Sequence, residues 1–282
     1  MNTTIARADD GTIELTMTVP WTEIAKTYEL VVEDMVKDAE IAGFRKGKAP
    51  RKMVEDGLDK TKVYEESIRR IVPQVYSDAI TEQKITPILM PQIELKEAQE
   101  GKDWVVAART CEAPKVTLGD YKSAINDAKA NKTKKIIVPG KEEKGDTDTK
   151  PNLDDVLGAL LSVTQVKLPT ILVEHETNHQ LSQLIDQTKK LGLTVEQYLA
   201  STGKTSESIR ADYAQQTQRT LSLEFALEAA AAQENVLVEE ADIAKLLATA
   251  KSDEERKSLE KEQYYLTTLV KRQKTVDLLM SL

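Results

Sequence analysis

Only one cysteine, Cys111, occurs in the 282 residues, so no disulfide can form within the chain, and a reducing compartment suits it. It follows Val105 and Val106 in a strand-like run, where a small packing role is expected rather than a nucleophile's. Aromatic residues make up only 4% of the chain, with two Phe and two Trp. Glycine numbers only 11, and neither a Walker-type phosphate loop nor a GxSxG elbow is present; nucleotide-driven work and serine hydrolysis are not expected. No apolar run approaches the ~20 residues needed to span a bilayer. The opening MNTTIARADDG lacks the basic-then-apolar pattern of an export signal, so a cytoplasmic location is expected.

What is present is charge, with a formal net of -8, and one local exception to it. Gly43-Phe44-Arg45-Lys46-Gly47-Lys48-Ala49-Pro50, followed by Arg51 and Lys52, contains five cations and no carboxylate. Its two glycines free the backbone to turn, and Phe44 places one large apolar side chain beside the charges. Such a loop suits phosphate or an acidic surface, although a solvated basic turn is the plain alternative.

Around this loop the periodicities are clear. Residues 12–19 alternate Ile13, Leu15, Met17 and Val19 with polar positions, the pattern of a half-buried strand ended by Pro20. Ile24, Tyr28, Val31, Val32, Met35, Val36 and Ala39 then recur at helical spacing, predicting a helix as far as Gly43. A second helix is expected over 64–84, kinked at Pro73. Strands follow at 85–95 and 104–111 as an antiparallel pair. The lysine-rich stretch 122–151 has the composition of a linker. Beyond it every segment reads as helix: 154–163, 169–190, 195–200 behind a Thr194/Gln197 capping box, 206–233, and a last helix opened by a Ser252/Glu255 capping box.

One motif competes with the basic loop. His175-Glu176-Thr177-Asn178-His179 fits HExxH, in which two histidines one helical turn apart hold zinc and the glutamate activates water. These are the chain's two histidines, so a third ligand would have to be a carboxylate such as Glu196 or Glu207. Both histidines also point away from a stripe of Leu181, Leu184 and Ile185, toward solvent. A solvated face is therefore expected, with metal binding by His175, Glu176 and His179 as the minor alternative.

The string GFRKGKAP, some forty residues from the start and set between two helices, resembles the ribosome-docking signature of the trigger-factor family, and the resemblance resumes after residue 151. It implies an α+β ribosome-binding domain at 1–121, a linker at 122–151, and an elongated all-α (SurA-like) chaperone domain at 152–282. It implies docking at the exit tunnel of the large ribosomal subunit, to RNA and rim protein, through Phe44, Arg45 and Lys46. Gly43, Gly47 and Pro50 would shape the loop, and Lys48, Arg51 and Lys52 would add attraction. The expected partners are the ribosome and unfolded nascent polypeptides, with a homodimer off the ribosome, no membrane and no cofactor. Family members commonly carry an FKBP-like prolyl isomerase domain where this chain has about 25 polar residues, too few for a core. The expected function is an ATP-independent chaperone without catalytic residues, with isomerase activity and HExxH peptidase activity as alternatives.

Overall fold

A computed structural model describes residues 2–40, 44–45, 50–133, 152–248 and 263–282. It divides into two compact units: Met1–Ala113 with Pro169–Leu172, and Pro114–Leu168 with Val173–Leu282.

The first unit is built on a four-stranded antiparallel sheet of order β1-β2-β4-β3, from β1 (Asn2–Arg7), β2 (Thr12–Val19), β3 (Gln92–Glu97) and β4 (Trp104–Cys111). The alternation in β2 does what its period of two demands, because Leu15, Met17 and Val19 are fully buried and pair with Ala108, Val106 and Trp104 of β4. Over this face lie α1 (Trp21–Asp38) and α3 (Lys60–Glu82), which contribute Ile24 and Ile71, Val72, Val75 and Ala79. Helix α3 runs through Pro73 as one element. A smaller cluster of Val31, Val32 and Val63, with Tyr28, Met35, Val36 and Leu58 against it, joins α1 to the start of α3. Between them sits α2 (Arg51–Gly57), held by the buried Val54.

Two expectations for this unit are corrected, and one strand was not foreseen. Helix α1 stops at Asp38, five residues before Gly43, because Ala39 turns extended at φ −64°, ψ 134°. The strand expected from 85 begins at Gln92, since Ile88 N–H is bonded to the Cys111 carbonyl outside any ladder register. Strand β1 carries no readable alternation; it is mostly exposed and exists through its pairing with β2, Asn2 opposite Thr18 to Arg7 opposite Ile13.

The second unit contains β5 (Val116–Leu118), α4 (Tyr121–Thr133), α5 (Leu153–Ser162), β6 (Thr164–Val166), α6 (Thr170–Lys190, whose first residues belong to the other unit), α7 (Val195–Thr202), α8 (Ser206–Gln233), α9 (Glu240–Leu247) and α10 (Gln263–Ser281). Its core gathers Tyr121 and Ile125 from α4, Val156 and Leu160 from α5, Ala226 and Leu227 from α8 and Leu279 from α10. The Thr194/Gln197 capping box is formed, and α8 spans the expected range behind a Thr205 cap. The β5–β6 ribbon was not expected, three residues being too short for a periodic signal. At the end of that ribbon Gly119 is required by space: a Cβ there would lie 2.7 Å from the Val163 carbonyl oxygen.

Residues 122–133, expected within the linker, are helical in α4, because Tyr121 and Ile125 bury one face that the lysine-rich composition masks. The rest of that stretch and the Ser252/Glu255 pair lie outside the described residues. Helix α6 also buries a different stripe: Thr177 and Thr188 are buried, Leu181 and Leu184 are half-buried, and Ile185 is exposed. Two threonines can occupy the inner face because their hydroxyls donate to the helix's own carbonyls, Thr177 to Val173 and Thr188 to Ile185.

Candidate functional site

The chain leaves α1 at Asp38 and returns at Pro50, which precedes the first turn of α2 and whose carbonyl accepts from the amides of Met53 and Val54. Proline there costs nothing, since an amide at a helix start has no intrahelical partner. Between these points Phe44 and Arg45 are exposed, Phe44 at 42%, and beyond Pro50 so are Lys52 and Met53. An exposed phenylalanine beside an exposed arginine offers an apolar contact next to a fixed positive charge. Gly43, Lys46, Gly47 and Lys48 lie outside the described residues.

Arg51 has two carboxylate partners that the sequence did not announce. Its Nε donates to Glu55 one turn along α2 and its Nη2 donates to Glu29 on α1. These two carboxylates hold its pKa above the ordinary arginine range, the Glu55 hydrogen bond first and that of Glu29 second. Arg51 is thus neutralised by its neighbours rather than being a free cation of the loop. A similar tie on the same helix joins Asp34, which accepts from Arg70 of α3 at 2.8 Å and from Lys37 at 3.1 Å.

The HExxH residues lie in the first half of α6, with Glu176 half-buried and Thr177 buried. His175 and His179 are exposed; Glu176 Oε1 accepts from Gln180 at 3.4 Å and lies 3.7 Å from His179 Nδ1. Among the described residues no group of three or more His, Cys, Asp or Glu side chains could hold a metal ion. Cys111 is fully buried, and burial pushes its thiol up to about 11, with Asp10 adding to the shift. A thiol of that kind stays protonated and is a packing residue.

Sequence reasoning missed Asp10. Its carboxylate accepts from the backbone and hydroxyl of Thr12 and from the amide of Thr170 at 3.1 Å, where α6 begins. Hydrogen bonds from Thr170 and then Thr12 outweigh partial burial and hold its pKa well below 3.8. An aspartate in a turn is ordinary; that it caps a helix 160 residues away is invisible locally.

Among the described residues no helix is long and apolar enough to cross a membrane. Two family models match, the bacterial trigger factor protein over residues 1–137 and the trigger factor C-terminus over 131–281, so they meet within the stretch expected as linker. Trigger factor of Staphylococcus epidermidis is 34% identical over 108 residues, which is 38% of this chain and 25% of that protein. The Staphylococcus aureus protein is 35% identical over the same shares, so the aligned stretch spans about a quarter of these curated relatives. A solved trigger factor chaperone structure, described for promiscuous substrate recognition in folding and assembly, superposes with a TM-score of 0.65 at 12% identity, covering 100% of this chain and 99% of that one. Matched from residue 1 to residue 281 by those two models, the chain belongs to the trigger factor family.

Proposed function

We propose that this protein is an ATP-independent cytoplasmic chaperone that docks at the ribosomal exit tunnel through the loop around Phe44, Arg45 and Lys46 and shields nascent polypeptides. The observation that carries the reading is the exposed Phe44-Arg45 pair inside a family-type basic signature, in a chain of net charge -8. An anionic protein is repelled by ribosomal RNA except where its cations are concentrated, so charge and loop shape together select one contact. Clients would meet the second unit, where Ile185 in the last part of α6, Leu191 and Leu193 in the turn between α6 and α7, and Val195 at the start of α7 are exposed. A patch of about 300 Å2 at ~25 cal/mol per Å2 gives roughly 7 kcal/mol before ordering costs, weak enough for release as a client buries its own core. Prolyl isomerisation is not part of the reading, because the residues between α4 (Tyr121–Thr133) and α5 (Leu153–Ser162) are too few to build the core of a further domain.

Ribosome co-sedimentation tests docking. Wild type pellets with ribosomes and a Phe44→Ala, Arg45→Ala, Lys46→Ala variant remains in the supernatant; equal pelleting rejects the reading. Analytical ultracentrifugation of the free protein over a concentration series tests the homodimer proposed off the ribosome, with a monomer throughout rejecting it.

A further inference from the structure

We propose that Arg51 is a positioning residue for the docking loop rather than a ribosome contact, and that Glu29 and Glu55 form the seat that fixes it. This rests on the docking reading and assigns the cations of the loop to two jobs. Arg51 opens α2 directly after the loop, and its Nη2 bond to Glu29 ties that return point to the helix the chain left at Asp38. The second bond, from Nε to Glu55, holds the guanidinium against its own helix, so the planar fork spans α1 and α2 at once. Arg45 and Lys52, which no carboxylate among the described residues pairs, keep their charge for an anionic surface. Exposed ion pairs add little to global stability. Their effect here is geometric: with Val54 the buried residue of α2, the Arg51 seat decides where Pro50 and the start of α2 lie.

Electrostatics gives the idea a sign that a direct contact does not share. Neutralising two carboxylates beside a basic loop raises local positive charge, which by attraction alone tightens binding to RNA. If the carboxylates position the loop, the same change weakens binding.

The test uses the whole 282-residue chain and purified ribosomes, with affinity measured across a series of potassium chloride concentrations for wild type, Arg51→Ala, Lys52→Ala and a Glu29→Gln, Glu55→Gln pair. Arg51→Ala is expected to bind about three- to tenfold more weakly with a salt slope parallel to wild type, whereas Lys52→Ala lowers the slope by ~1. The glutamine pair is expected to weaken binding too. Amide hydrogen exchange of the free protein should quicken in α2 (Arg51–Gly57) for both Arg51→Ala and the glutamine pair. Tighter binding by the glutamine pair, or a reduced slope for Arg51→Ala, overturns the proposal. Should wild type itself not bind ribosomes, the docking reading falls, and the exchange comparison still judges the seat: unchanged exchange in α2 overturns it.

Discussion

At the scale of single residues, the most consequential side chain is one whose chemistry gives no local warning. Asp10 caps the start of α6 through Thr170 while closing its own turn through Thr12. Removing it in Asp10→Ala should cost about 1 kcal/mol, the usual worth of an N-cap, measured by denaturant unfolding. Its folded pKa is depressed, so this stability is fully present above the unfolded value near 3.8 and is lost as pH falls toward the folded one. The gap in unfolding free energy between wild type and Asp10→Ala should therefore narrow on acidification from neutral pH to about pH 2. Cys111 gives a second check: buried and with its thiol raised to about 11, it should resist maleimide labelling in native buffer and react once the chain is unfolded in urea. Rapid native labelling would show that β4 opens far more easily than its packing implies.

Elements were legible where one face is continuously apolar or a cap is local. Strand β2 shows this through Ile13, Leu15, Met17 and Val19, and α7 through Thr194 and Gln197, each a pattern complete within a few residues. Elements defined by distant partners were not. Strand β1 is a strand because β2 pairs with it, and α4 buries Tyr121 and Ile125 against α5, α8 and α10, none of which its lysine-rich neighbourhood announces. The β5–β6 ribbon depends on the close approach at Gly119, so Gly119→Ala should destabilise the second unit by roughly 1 to 3 kcal/mol, the cost of forcing a methyl into packed backbone. Thermal unfolding of that variant, with a midpoint equal to wild type, would remove the steric argument.

For the whole molecule, charge and length carry the functional prediction. An acidic chain that docks through one basic loop should lose ribosome binding steeply as salt rises, because each phosphate contact releases counterions. Pelleting that does not change with salt would contradict phosphate contact. A proline-peptide exchange assay should show no rate above background, and catalysis would place an isomerase site in the two family-matched regions.

Of the candidate site, the basic string and its exposed Phe44 and Arg45 were readable because composition and spelling are local properties. The pairing of Arg51 with Glu29 was not readable, since Glu29 stands 22 residues earlier and only folding sets the two side by side. The sequence by itself determined the strand and helix periods, the caps within reach of one turn, and the placing of a positive loop in a negative chain. Tertiary structure decided which of those charges stay available, which unpatterned segments become strand or helix, and which turn caps which helix. Each of those outcomes depends on contacts between residues far apart along the chain, whose free energy no short window contains.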